Sequence, residues 1–180
     1  MRDDIERTLI SSEDLARRVR ELADEIAATY AGRPDGLVIV PILSGSVIFL
    51  ADLIRCMPFK MRVGLMAVSS YRGATTQSRG ARVLQPLGID ITDRHVLVLD
   101  DILDTGNTLR LVVDQLKRQN PASLRVCVLL RKPNKAPKSL QVDFVGFDIE
   151  DVFVVGYGLD YNDLYRNWPG IGVLKRELYA

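Results

Sequence analysis

The thirteen residues Val96-Leu-Val-Leu-Asp-Asp-Ile-Leu-Asp-Thr-Gly-Asn-Thr108 restrict the possible folds more than any other stretch of the chain. Residues 96–99 are apolar and form a candidate buried strand, with Asp100 and Asp101 at its carboxyl end. Asp104-Thr105-Gly106-Asn107-Thr108 is a polar turn, after which Leu109, Val112, Val113 and Leu116 recur at helical spacing. A strand that ends in such a turn and opens a helix is an anion site, because the first helical N–H groups have no intrahelical partner and the dipole is positive there. Gly106 lets the backbone approach a phosphate closely, and Thr105 and Thr108 add hydroxyl donors. Open α/β sheets bind ligands at the carboxyl ends of their strands, where Asp100 and Asp101 stand. Paired carboxylates beside a phosphate cradle suit a ligand that carries both a phosphate and a sugar diol. A plain turn with a helix cap accounts for Asp104-Thr105-Gly106 taken alone, but not for the full segment.

Around this segment, strand and helix patterns alternate. Ser11-Ser12-Glu13-Asp14 starts a helix in the manner of a capping box, with Leu15, Val19, Leu22 and Ile26 on one face and an end near Tyr30. A strand over 37–42, the turn Leu43-Ser44-Gly45-Ser46, a helix over 47–54 and a strand over 61–68 follow. Residues 69–81 are polar, and a stretch of that length in a globular domain is more often a functional lid than a connector. Then come the key strand over 96–99, a helix over 108–119 and a strand over 124–130. Short apolar runs at 142–147, 152–155 and 172–174 suggest extra strands beside the sheet. The expected architecture is α/β: a parallel sheet flanked by helices, in one domain over 1–180, with no internal repeat or interdomain linker.

Composition removes several function classes. The chain has 180 residues, 47% of them hydrophobic and 26% charged, as in ordinary globular proteins. A net charge of +1 offers no basic field for nucleic acid or an anionic membrane. The longest apolar runs are too short to span a bilayer, and the charged start Met1-Arg-Asp-Asp-Ile-Glu-Arg lacks a signal core, so the cytoplasm is the expected compartment. Cys56 and Cys127 make neither a disulfide framework nor a zinc spacing. His95 is the only histidine, which leaves little for a histidine metal cluster or catalytic triad, and it reads as structural. There is no P-loop spacing and no G-x-G-x-x-G after a strand, so triphosphate and dinucleotide sites are disfavoured.

Segment 96–108 resembles the signature of phosphoribosyltransferases that use phosphoribosyl pyrophosphate. A second constellation is Lys132, Asp143-Phe-Val-Gly-Phe147, Val152-Phe-Val-Val-Gly-Tyr-Gly-Leu-Asp-Tyr-Asn162 and Arg166. It is similar to the 6-oxopurine branch, the hypoxanthine and guanine salvage enzymes, and the likeness runs from about residue 11 to 174. The resemblance implies the type I phosphoribosyltransferase fold, with a small hood of extra strands, a mobile active-site loop near 69–81 and a base-binding segment over about 132–174. It implies transfer of the 5-phosphoribosyl group to hypoxanthine or guanine, giving IMP or GMP and pyrophosphate.

The same likeness distributes roles. Phe153 would stack on the purine, since a planar base needs a π-face. Val154 would offer backbone groups to the base edge. Lys132 would donate to the 6-oxo group, favouring oxopurines over adenine. Asp104 would be the general base at N7. Asp104, Thr105, Gly106, Asn107 and Thr108 would hold the 5′-phosphate, and Asp100 and Asp101 the ribose hydroxyls, directly or through Mg2+. Asp160 would bind magnesium, and Arg166 the pyrophosphate. Ser44 and Gly45 match the pyrophosphate loop, with a strained non-proline cis bond expected at Ser44–Gly45. Ser70 and Tyr71 match the Ser-Tyr pair of the closing loop.

Ser44 replaces the lysine or arginine of many relatives, which removes a basic side chain from pyrophosphate binding or a subunit contact. Asn107 replaces the lysine of some relatives at a variable position. A homodimer or homotetramer is expected, with small-molecule substrates and neither nucleic acid nor membrane as a partner. The competing functions are a xanthine-preferring relative and a ligand-sensing nucleic-acid-binding regulator that kept the fold.

Overall fold

In the computed structural model, which describes residues 1–32, 37–69 and 82–179, the chain runs β1 (Ile5–Ile10), α1 (Ser12–Tyr30), β2 (Leu37–Leu43), α2 (Val47–Arg55), β3 (Arg62–Val63), β4 (Met66–Ser69), β5 (Arg82–Gln85), β6 (His95–Leu103), α3 (Asn107–Lys117), β7 (Ser123–Arg131), β8 (Phe144–Asp148), β9 (Val154–Val155) and β10 (Ile171–Leu174). Helix α1 begins as its sequence dictates: Ser11 Oγ accepts from the Asp14 N–H at 3.1 Å, and Glu13 and Asp14 stand at the positive end of the dipole. Its buried stripe is Leu15, Val19, Leu22, Ala23, Ile26 and Tyr30.

The main sheet has the order β5-β4-β2-β6-β7-β8 among the described residues, parallel throughout except for β5. Its central strands are buried on both faces, which is why they read as continuous apolar runs rather than alternating ones. Successive side chains point to opposite faces. Leu97 and Leu99 therefore join the core with the residues of α1 and α2, whereas Val96 and Val98 join the core with Leu109, Val112, Val113 and Leu116 of α3. Arg18 fixes α1 to the edge strand, donating through Nε to Gly146 O at 2.9 Å and through Nη2 to Val145 O at 2.8 Å.

A second, antiparallel sheet has the order β1-β10-β9. Three details differ from the sequence expectation. β1 was not expected; half of its residues are exposed, and it becomes a strand only because β10 supplies backbone partners, with Ile5 opposite Leu174 and Ile10 opposite Ile171. The apolar run at 142–147 belongs to the main sheet as β8, parallel to β7, not to the hood. Residues 61–68 form two strands: Arg62 and Val63 pair with Val38 and Ile39, Met66 pairs with Ile42, and Gly64 between them donates to Ile39 O at 2.9 Å. His95 has the structural place expected of it, with Nδ1 2.8 Å from Ser123 Oγ. Of the expected lid, Ser69 ends β4, while Ser70, Tyr71 and residues through 81 lie outside the described residues. Among the described residues no helix is long and apolar enough to cross a membrane.

Candidate active site

Parallel register decides which loops meet. Pro41 lies opposite Leu99 across β2 and β6, and Leu103 opposite Arg131 across β6 and β7. Two residues farther along, this register sets Leu43 and the Ser44-Gly45 turn beside Asp101. One residue beyond β7 it sets Lys132 beside Asp104, and Lys132 N–H donates to Leu103 O at 3.0 Å. Residues far apart in the chain thus converge at the carboxyl end of the sheet, where open α/β sheets bind ligands.

The paired carboxylates belong to the strand itself. β6 continues to Leu103, because Asp100, Ile102 and Leu103 keep their ladder partners Val128, Leu130 and Arg131 on β7. Asp100 is 6% exposed and accepts from the Asp101 N–H at 3.1 Å; Asp101 accepts from the Ile102 N–H at 2.9 Å. Burial pushes the Asp100 carboxyl well above the ordinary carboxylate range, and the adjacent Asp101 charge adds to the shift. Burial raises Asp101 too, against the opposing effect of its hydrogen bonds. A cation brought against two neighbouring buried acids would favour their charged forms.

Asp101 also packs on the turn after β2. A Cβ on Gly45 would overlap the Asp101 carboxylate, and a Cβ on Gly158 would overlap the Gly45 carbonyl oxygen. Gly158 has φ +104°, a conformation that other residues rarely adopt. Ser46 is buried and donates to Ile42 O at 2.6 Å, folding the turn back on β2. Ser44 itself is exposed. The non-proline cis bond lies between Leu43 and Ser44, not between Ser44 and Gly45 as expected: the chain leaves the last residue of β2 there, while Gly45 is held against Asp101. From the other side, Arg166 Nη1 donates to Gly158 O at 2.8 Å, and its Nη2 lies 2.9 Å from Asp160 and 3.2 Å from Asp163. Arg166 and Asp160, expected as pyrophosphate and magnesium residues, are therefore an ion pair with one another.

Asp104 lies half-buried between two lysines. Lys132, 6% exposed, places Nζ 3.4 Å from Asp104 Oδ2 and 3.1 Å from Asp151 Oδ1. Lys135 Nζ is 2.8 Å from Asp151 and 3.9 Å from Asp104. Hydrogen bonds from Lys135 and Lys132 hold the Asp151 carboxyl below the usual carboxylate range. Asp104 Oδ1 is buried and accepts no hydrogen bond among the described residues. A buried carboxylate oxygen left without a donor is costly unless something else fills it.

Gly106 is the N-cap of α3, so no side chain caps the helix's first N–H groups, and they remain available to an anion. The helix starts at Asn107, one residue earlier than expected; Thr105 and Asn107 are exposed and Thr108 is half-buried. Phe153 precedes β9, half-buried, with Tyr161 edge-on to it at 5.6 Å between centroids; Val154 is buried opposite Val173. The donor chemistry fits magnesium in one respect: Asp100, Asp101 and Asp160 offer hard carboxylate oxygens. Among the described residues they do not gather with others into a group of three or more that could hold an ion.

Sequence reasoning missed Lys135 and Asp151, and gave no role of their own to Ser46 and Gly158, which stood inside the two quoted motifs. Asp151 had a weak signal, two residues before Phe153, but nothing local says that it meets a lysine nineteen positions earlier. Gly158 stood inside the second constellation, but nothing local names the turn it packs against.

Residues 8–162 match the family model of a phosphoribosyl transferase domain. The chain is 42% identical over 180 residues to the hypoxanthine-guanine phosphoribosyltransferase of Staphylococcus epidermidis strain RP62A, spanning 100% of this chain and 99% of that one. The corresponding Staphylococcus aureus Mu50 protein is 40% identical over the same shares of the two chains. A crystal structure of a hypoxanthine phosphoribosyltransferase from Staphylococcus aureus superposes with a TM-score of 0.92 at 40% identity, covering 100% of this chain and 97% of that chain.

Proposed function

Because the chain belongs to the phosphoribosyl transferase family, in its hypoxanthine-guanine branch, we propose a division of labour among its site residues. The activity is purine salvage: the 5-phosphoribosyl group passes from phosphoribosyl pyrophosphate to hypoxanthine or guanine, giving IMP or GMP and pyrophosphate. Full-length likeness to these enzymes does not favour a xanthine-preferring enzyme or a nucleic-acid-binding regulator.

One observation supports the roles above all: the half-exposed Asp104 carboxylate has Lys132 Nζ 3.4 Å from Oδ2 and Lys135 Nζ 3.9 Å from Oδ1. An acceptor beside a donor fits the edge of an oxopurine, with its 6-oxo group on Lys132 and its N7 proton on Asp104. As purine N9 bonds to C1′ of the ribose, the C1′–O bond to pyrophosphate breaks with its electron pair, and Asp104 takes the N7 proton. The transition state is a ribosyl oxocarbenium ion, which the carboxylates of Asp100 and Asp101 stabilise; before that they hold the ribose hydroxyls. Thr105 and Thr108 hydroxyls and the N–H groups from Gly106 to Thr108 hold the 5′-phosphate. Gly45 and the backbone around Ser44 hold pyrophosphate, with Arg166 turning from Asp163 toward it. Asp160 or the Asp100–Asp101 pair would hold magnesium, which would supply charge neutralisation for the leaving pyrophosphate. Phe153 stacks on the base, and Val154 reads its edge. Ser70 and Tyr71 close the site against water.

The unit of action is one phosphoribosyltransferase domain in a homodimer or homotetramer. The proposed compartment is the cytoplasm, where the free Cys56 and Cys127 stay reduced. Initial rates with hypoxanthine, guanine, xanthine and adenine, each with magnesium and phosphoribosyl pyrophosphate, test the reading. Hypoxanthine and guanine should turn over far faster than adenine, and no turnover with any base overturns it.

A further inference from the structure

Tyr157, in the loop that carries Gly158, has φ +49°, a backbone conformation uncommon for any residue but glycine. Its backbone ties it to its own loop, the N–H donating to Trp168 O at 2.8 Å. Its side chain leaves that loop. The ring is buried, and the hydroxyl donates to Asp52 Oδ2 at 2.7 Å. Burial and the facing carboxylate both push the phenol far above its ordinary range, so it keeps its proton and remains the donor. Asp52 belongs to α2, the helix that opens directly from the Gly45 turn: Val47 N–H donates to Ser44 O at 3.2 Å, and Leu50 N–H to Ser46 O at 2.8 Å. Arg55 Nη1 lies 3.6 Å from Asp52 Oδ1, the other oxygen of the carboxylate.

The loop after β9 therefore meets the turn and its helix at two places. Gly158 rests on the Gly45 carbonyl oxygen, and Tyr157 is bonded to Asp52. Asp52 stands about 7.5 Å along α2 from Val47, at the usual rise per residue. One contact is a pivot about which two surfaces can rock, and a second at that distance fixes their angle. We propose that Tyr157 is a positioning residue for the pyrophosphate turn: by its hydrogen bond to Asp52 it holds the loop of Gly158 and Arg166 against α2, and so sets the spacing of that loop and the Ser44-Gly45 turn. This rests on the reading of the turn as the pyrophosphate site. Backbone strain persists where surrounding contacts over-determine it, and the bonds to Trp168 and Asp52 do so at Tyr157. Tyr157 acts through the turn, so its effect falls on phosphoribosyl pyrophosphate and not on the base.

The test uses the full chain, with melting curves to confirm folding. Tyr157→Phe keeps the ring and removes only the hydroxyl. It should raise the KM for phosphoribosyl pyrophosphate roughly three- to tenfold, the scale of one lost hydrogen bond, and weaken inhibition by inorganic pyrophosphate by a similar factor. The kcat and the KM for hypoxanthine should not change. Asp52→Ala should have the same effect, whereas Asp52→Asn, which keeps an acceptor, should stay near the parent. The double variant Tyr157→Phe/Asp52→Ala should be no worse than either single one. An unchanged KM for phosphoribosyl pyrophosphate in Tyr157→Phe overturns the proposal. Effects that add in the double variant overturn it too, because the two residues then act apart. A hypoxanthine KM that rises by the same factor overturns it as well, since the hydroxyl then serves the whole site. Gly45→Ala separates the proposal from the reading beneath it. If that variant leaves both the KM for phosphoribosyl pyrophosphate and the inhibition by pyrophosphate unchanged, the turn is not the pyrophosphate site. If it raises the KM while Tyr157→Phe does not, only the positioning role falls.

Discussion

Gly158 is packed so closely on Gly45 that a Cβ on it would overlap the Gly45 carbonyl oxygen. The contact joins the turn after β2 to the loop after β9, and Asp101 closes the stack from beneath Gly45. Two loops from distant parts of the chain are therefore set at a fixed spacing around the place proposed for pyrophosphate.

Gly158→Ala should cost roughly 1–3 kcal/mol of stability, since the side chain meets both a positive φ and a backbone oxygen. By displacing the Gly45 turn it should also raise the KM for phosphoribosyl pyrophosphate more than that for the base. Thermal melting and steady-state kinetics read both effects. An alanine variant with parental melting temperature and KM would show that the two loops are free to part.

Asp104→Asn should lower kcat by about 10²-fold or more, the scale of a lost general base. The KM for phosphoribosyl pyrophosphate should stay close to its parental value. Near-normal turnover in the asparagine variant would remove Asp104 from proton transfer.

Lys132→Ala should raise the KM for hypoxanthine and guanine and narrow their advantage over adenine. Adenine presents an amino donor where the ammonium can only donate, a mismatch of roughly 1–3 kcal/mol in a partly dry site. Because Lys132 Nζ also lies near Asp104 and Asp151, the variant leaves both carboxylates to Lys135. An undiminished preference for oxopurines would transfer the reading of the base to the backbone around Val154.

Arg131 Nε and Nη2 donate to the two oxygens of Asp148 at 2.6 and 2.9 Å, pinning the end of β7 to that of β8. These bonds hold the Asp148 carboxyl below its ordinary value of 3.8. A depressed acid contributes stability that is fully present above the ordinary value and is lost as pH falls through the lower, folded-state value. Asp148→Asn should therefore cost under about 1 kcal/mol at neutral pH, as for a solvent-screened pair. The gap between the two denaturation curves should close in strong acid. A gap that persists there would assign the loss to something other than the ion pair.

Much of the fold was legible because its signals are local. The apolar stripe of α1 and its Ser11 cap, the both-faces-buried strands β2, β6 and β7, and the polar turn opening α3 each arise within a few residues. The two motifs carry most of the site residues for the same reason, since each is a contiguous or nearly contiguous string. β1 was illegible because Ile-Glu-Arg-Thr-Leu-Ile has neither a fully buried nor a cleanly alternating pattern, and it became a strand only against β10.

Local pattern in the chain was enough for the α/β alternation, the acidic strand end, the anion-ready turn and the candidates Asp104, Lys132 and Phe153. Tertiary structure alone decided which of them meet. It set Lys132 beside Asp104, placed Asp151 and Lys135 around them, seated Gly45 on Asp101 and Gly158 on Gly45, and brought Tyr179 onto Phe153. The reason is register: hydrogen bonds between strands far apart in the chain fix which residues stand opposite one another, and no local pattern encodes that choice.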